Sequence, residues 1–308
     1  MLAKRSLAQR ACASIRRDKY VYIMAVPVVI YYLLFYYYPM YGAQIAFRNF
    51  SVARGITGSS WVGTRWFELF IKGPYFGRLM RNTLLISCYQ LIFAFPAPIL
   101  LALMLNELRS ERYKRTIQSI VYLPHFISMV VMCGFIREFV GRYGIITDLV
   151  VAFGGKRTNL LNAPENFRTI YTLSGIWQSI GWNSIVYLSA LTAVSPELHE
   201  SATIDGANRF QRVIHITIPS IIPTIVTMFI LQLGRVMSVG SEKILLLYNP
   251  NTYETADVIS TYVYRVGLQE SFQPSYSTAV GLFSSIINFA LILAANTLSR
   301  KATDSSLW

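Results

Sequence analysis

Six stretches of this chain run for about 20 residues almost without charge, the length a helix needs to cross a hydrocarbon layer about 30 Å thick. They read as Tyr20–Tyr41, Leu79–Leu105, Ile117–Val140, Ile170–Val194, Pro219–Gly240 and Tyr276–Leu298. Lipid offers no water to a free N–H or C=O, so each stretch is expected to be helical. Pro27, Pro96, Pro98 and Pro124 predict kinks within them. Composition agrees: 14% of the 308 residues are charged and 54% are hydrophobic, against about 25% charged in soluble domains. The expected fold class is all-α, a polytopic membrane protein with six transmembrane helices over residues 20–300. A basic arm at 1–19 precedes them and a short tail at 301–308 follows.

The net charge of +13 does not describe a nucleic-acid surface, because the basic residues gather in the arm and in the connections between apolar runs. That distribution is how membrane topology is set. The arm "MLAKRSLAQRACASIRRDK" holds six basic residues and one acid. A cleaved signal peptide would carry an apolar region of about 7–15 residues and a small-residue cleavage site. Here the run is longer and ends in "FYYYPMYG". The short connection "NELRSERYKR" adds Arg109, Arg112, Lys114 and Arg115 on the same side. Density of Lys and Arg in short segments places both termini and residues 195–217 in the cytoplasm.

Metal and nucleophile chemistry find little footing. Cys12, Cys88 and Cys133 are far apart, and His125, His199 and His215 lack ligand spacing. "FGGKRT" lacks the first glycine of a phosphate loop, since position 150 is Val150. No G-x-S-x-G elbow occurs. The chain is expected to be non-catalytic and to hold no cofactor.

One polar segment, "SPELHESATIDGANRFQRVIHITIPSIIP" (195–223), interrupts the apolar pattern. Ser195, Pro196 and Glu197 read as a helix start. Asp205-Gly206 reads as a turn, and a short second helix carries Phe210, Val213 and Ile214 before Pro219 and Pro223 lead into the fifth span. Such a helix–turn–helix is too polar to cross a membrane. It either lies along lipid headgroups or sets its apolar anchors in a partner's groove.

A resemblance favours the second. Glu200-Ser201-Ala202, three residues, Gly206, nine residues, then Ile216-x-Ile218-Pro219 resembles the E-A-A, G, I-x-L-P signature of ABC importer permeases, with Ser201 for alanine and Ile218 for leucine. "IDGANRFQ", "YPMYGAQIAFRNF", "FPAPILLALMLNELRSERYKRTIQSIVYLPHFISMVV", "GIWQSIGWNSIVYLSALTAVSPEL" and "EKILLLYNP" look like the carbohydrate-uptake branch that handles oligosaccharides and polysaccharides. The resemblance implies that residues 195–219 form a cytoplasmic coupling helix seated in an ATPase subunit. Its ATPase-coupling residues would be Glu200, Ser201, Ala202, Asp205, Gly206, Ala207, Phe210, Ile216 and Pro219. It also implies a bacterial cytoplasmic (inner) membrane, a second six-span permease (related or identical) and two ATPase subunits that bind ATP-Mg. An external solute-binding protein would deliver a carbohydrate.

Polar groups inside membrane spans are costly and mark pathways. Trp177, Gln178, Trp182, Asn183 and Tyr187 on the fourth span, with Gln232 and Arg235 on the fifth, are the candidate substrate path. Aromatic rings cover the C–H faces of a sugar while amides reach its hydroxyls; the same rings also serve as interface anchors. Arg235 either snorkels to the outer interface or attracts an acidic sugar, and an alginate-like polymer is the specific expectation. The aromatic cluster at Tyr31–Gly42 reads as an interface belt. Two rivals remain. An ion-coupled transporter would place an acid at a span centre, whereas Glu138 and Glu242 lie near span ends. A membrane-embedded glycosyl- or acyltransferase would need a convergent acid, base or metal cluster.

Overall fold

The computed structural model describes residues 17–269 and 272–303. Most of the basic arm and of the tail lies outside the described residues. Helix α1 (Lys19–Phe47) leads into an antiparallel hairpin, β1 (Arg48–Ser51) with β2 (Ser59–Trp61), in the register Arg48↔Trp61. A short α2 (Arg65–Ile71) and a long α3 (Phe76–Asn106) follow. Next come α4 (Glu111–Phe126), α5 (Met129–Val140), α6 (Ile145–Ala152) and α7 (Pro164–Thr192). The polar segment forms α8 (Pro196–Ile204) and the start of α9 (Arg209–Leu233). Three short helices, α10 (Ser241–Leu247), α11 (Tyr253–Ala256) and α12 (Ile259–Tyr264), precede α13 (Pro274–Thr303).

By length and composition α1, α3, α9 and Pro274–Lys301 of α13 suffice to cross a membrane. The expected third span, Ile117–Val140, is not one kinked helix. Glu111–Phe126 and Met129–Ala152 meet at 101°, making at most a broken fifth span. Pro124 sits in a tight 3₁₀ turn, Ile127 is extended, and Ser128 restarts the chain by accepting from Val131 N–H at 3.4 Å. The expected fourth span lies on α7, whose 29 residues reach roughly 43 Å at 1.5 Å per residue. It is more polar than the others, and its hydroxyls bond back to its own carbonyls: Ser179 to Gly175 at 2.8 Å and Ser184 to Gly181 at 2.6 Å.

Three prolines, Pro39, Pro96 and Pro219, shape the long helices in a common way. A proline removes one N–H and presses its ring on the carbonyl four residues back, and a widened π-turn relieves both. Leu33–Tyr37 ends two residues before Pro39, Gln90–Ala94 two before Pro96, and Val213–Thr217 two before Pro219. The second helix of the polar segment therefore does not stop at Pro219; it continues unbroken to Leu233. The fifth span also ends earlier than Gly240. Beyond Leu233 the chain turns, pinned by Asn288 of α13, which accepts from Met237 N–H at 2.8 Å and donates to Ser238 at 2.9 Å. Arg235 accordingly sits past the helix end.

α3 and α7 both finish on the face carrying α8, and α9 leaves from it. The starts of α3, α7 and α13 thus share the opposite face with the hairpin, α2 and α10–α12. One apolar cluster lies toward the α8 face, around Ala102, Leu105, Tyr187 and Ile221. Two others lie toward the opposite face, around Met132, Phe167 and Ile244, and around Phe70, Leu79 and Val280. α4 crosses α7 at Gly181, where a Cβ would collide with the Val121 carbonyl oxygen. None of Lys19–Tyr32 is buried.

Candidate functional site

The polar segment is built by a helix stop and a helix start within four residues. α8 begins at Pro196, as the helix start read from the sequence requires, although Ser195, in extended backbone, makes no side-chain cap. At the other end Gly206 N–H bonds Thr203 O at 3.1 Å and Ala207 N–H bonds Ala202 O at 2.9 Å. This paired closure requires a left-handed residue, and Gly206 supplies it at φ 81°. Asn208 then caps α9 reciprocally with Gln211, at 2.9 Å and 2.8 Å. That N-x-x-Q box was legible in the sequence and was not read. Arg212 donates to the Thr203 hydroxyl across the turn, and Arg209 reaches Glu107 at the end of α3 at 3.8 Å.

The resulting corner is concave on one side. A notch of about 410 Å³ is lined by Ala202, Asp205, Gly206, Ala207, Arg212 and Ile216, among others. Glu200 and Ser201 are exposed on α8 and Pro219 is exposed on α9. Ile204 is 87% and Phe210 73% exposed. Exposed apolar side chains on a rigid polar corner are the arrangement a partner groove takes up.

At mid-depth the bundle encloses a second feature, a cavity of about 250 Å³ between α3, α7 and α9. Of the path candidates, it gathers Asn183, Tyr187, Gln232 and Arg235, and adds Gln90 and Ser179. Ser179, Asn183 and Tyr187 are spaced four apart, one stripe of α7. Gln178 and Trp182 fall on the neighbouring stripe and line no part of it. Trp182 stacks on His125 with centroids 4.5 Å apart and planes at 5°, edge-on to Phe126. Trp177 lines a separate apolar cavity of about 640 Å³ with Ile136 and Leu173. Gln90 was missed, although it is the one amide in "CYQLIFAFPAP"; the π-turn it opens sets it into the cavity wall. Among the described residues no group of three His, Cys, Asp or Glu is placed to hold a metal ion.

A bundle of long apolar helices with a polar cavity inside and, at one end, a polar corner bearing exposed apolar side chains is the architecture of a membrane permease. The profile of the family described as binding-protein-dependent transport system inner membrane component matches residues 94–304, and the chain belongs to that family. It is 41% identical to the polygalacturonan/rhamnogalacturonan transport system permease protein YteP of Bacillus subtilis (strain 168), over 100% of this chain and 96% of that protein. It is also 41% identical to protein LplB of the same organism, over 96% and 93%. Among solved structures, a bacterial ABC transporter involved in the import of the acidic polysaccharide alginate superposes with a TM-score of 0.87 at 43% identity, covering 96% of this chain and 99% of that one. A second structure of bacterial alginate ABC transporter, in complex with alginate pentasaccharide-bound periplasmic protein, gives 0.87 at 42% identity over the same shares.

Proposed function

We propose that this permease forms half of the pathway of an ATP-driven importer for acidic oligo- and polysaccharides. The carrying observation is near full-length similarity, above 40% identity, to proteins named for two uronate-containing cargoes, polygalacturonan and alginate. The mid-depth cavity fits that cargo: Asn183, Gln90 and Gln232 offer amides to hydroxyls, Tyr187 a ring, and Arg235 a positive charge for a carboxylate.

In this reading α7 and the bent α4–α5 pair complete six spans. The face carrying α8 lies in the cytoplasm with both termini. The 195–219 corner is the coupling element: an ATPase subunit grips Phe210 and the notch around Gly206, and motor closure pushes α8. Because α9 runs unbroken from that corner to the cavity, a push at Arg209 is delivered to Gln232 by a single rigid rod. A second permease supplies the other wall, and rocking of the halves exposes the cavity alternately to each side. ATP-Mg is bound by the partner ATPases, this chain is not catalytic, and an external solute-binding protein brings the cargo.

Affinity purification in mild detergent followed by mass spectrometry tests the assembly; an ATPase and a second permease are expected to co-purify. Uptake of oligogalacturonate into proteoliposomes holding that complex is expected to stop on ATP depletion and to survive an ionophore. The reverse result would favour ion coupling and sink the proposal.

A further inference from the structure

On the face opposite α8 lies a fourth hollow, of about 590 Å³, a size at which small ligands are commonly held. It is walled by Tyr75, Tyr253, Tyr262 and Tyr276 and carries Arg78 and Arg265. None of these residues belongs to the mid-depth cavity or to the docking corner. Asp257, fully buried, sits behind the two arginines. Arg265 grips it with both terminal nitrogens, at 3.3 Å and 2.7 Å. Thr261 donates to the same carboxylate at 2.9 Å. Arg78 reaches it through one nitrogen at 3.3 Å.

The two arginines are therefore not equivalent. Asp257 is already engaged in a two-point pair, and Arg265 is tucked beneath the rings of Tyr253 and Tyr262, 5.0 Å and 5.8 Å from their centroids. Arg78 is the accessible one, its side chain about one-third exposed. A guanidinium has five donors. Arg78 spends one on Asp257, and its Nε–H, buried, has no hydrogen-bond partner. The Tyr75 ring centroid lies 5.1 Å from its guanidinium carbon, the Tyr262 ring is 6.0 Å from that of Tyr75, and Tyr262 and Tyr276 join hydroxyls at 3.2 Å.

A held guanidinium with spare donors, beside aromatic faces and phenolic hydroxyls, matches a sugar ring bearing a carboxylate. Oxygen pairs accept from the guanidinium fork, C–H faces lie on the rings, and ring hydroxyls meet the phenols. We propose that this hollow is a receiving site for one uronate residue of the cargo, occupied before the chain reaches the mid-depth cavity. This rests on the acidic-saccharide reading above.

The test uses the reconstituted complex, with trigalacturonate and its methyl-esterified form as probes, the ester keeping the sugar and removing the charge. Arg78→Gln is expected to lower uptake of the free acid about tenfold more than uptake of the ester, and Arg78→Lys to restore much of the difference. Because both sugars are measured on one preparation, poor folding cancels in the ratio. Equal effects on the two sugars would overturn the receiving site while leaving the transport function standing. An equal rise for both sugars in the solute-binding protein needed for half-maximal uptake would assign the hollow to a carboxylate of that protein instead. If the wild-type complex moves neither sugar, the functional reading fails first, and this inference with it.

Discussion

The docking corner and the mid-depth cavity are both candidate working parts, yet they are specified in opposite ways. The corner is assembled from residues within 25 positions of one another: a paired closure at Gly206, a capping box at Asn208 and Gln211, and one cross-turn bond from Arg212 to Thr203. The cavity draws Gln90, Asn183 and Gln232 from three helices far apart in sequence. A part that transmits force benefits from local rigidity that survives as its partner comes and goes. A part that opens to either side must be made of elements free to move relative to one another. α9 touches both, and in the proposed mechanism it links them.

The largest effect that can break this contrast is expected at Gly206. A β-branched residue is strained at φ 81°, at a cost of roughly 1–3 kcal/mol. Gly206→Val should reduce coupled uptake by at least about tenfold while leaving membrane insertion intact. Measuring ATP hydrolysis and uptake on the same proteoliposomes checks this, and undiminished uptake would remove the corner's role. Next comes Arg235→Gln, which should depress uptake of an acidic oligosaccharide about tenfold and that of its ester far less. Matching losses would reduce Arg235 to an interface anchor.

Asn208→Ala sharpens the comparison more gently. Loss of the cap should cost about 1 kcal/mol, seen as faster hydrogen exchange over residues 209–213 with little change around α7. Spread of the effect into the cavity would mean that corner and cavity are not separately built. The smallest effect concerns Lys243 on α10, outside the spans, 5% exposed and donating to the Tyr171 carbonyl at 3.0 Å. Burial pushes its amine down from 10.5 to about 8. The unfolded chain then binds this proton more tightly than the folded one, so stability should rise with pH between about 8 and 10.5. Lys243→Met should flatten that rise in a thermal melt of the detergent-solubilised complex. An unchanged slope would clear Lys243 of responsibility.

Much of this was legible along the chain, and the misses share a cause. The Gly206 turn, the apolar runs and the family signature all depend on near neighbours. The break after Phe126 was not foreseen, because a proline in an apolar run reads alike whether neighbouring helices absorb a kink or the chain turns by 101°. The path candidates of α7 divided for a similar reason. Asn183 and Trp182 are adjacent in sequence but about 100° apart around a helix, so a small rotation decides which one meets the cavity. The positions of α3, α4 and α9 settle that rotation.

What this sequence determined by itself was set by local or compositional physics. Uncharged runs of membrane length must close their own hydrogen bonds, and a glycine followed by a capping asparagine must turn a helix back. Tertiary structure alone decided that Trp182 stacks on His125, that Arg235 lies beyond its helix yet lines the cavity with Gln90, and that Arg78 and Arg265 converge on Asp257. Those outcomes depend on how rigid rods rotate and approach, and no short window of residues carries that information.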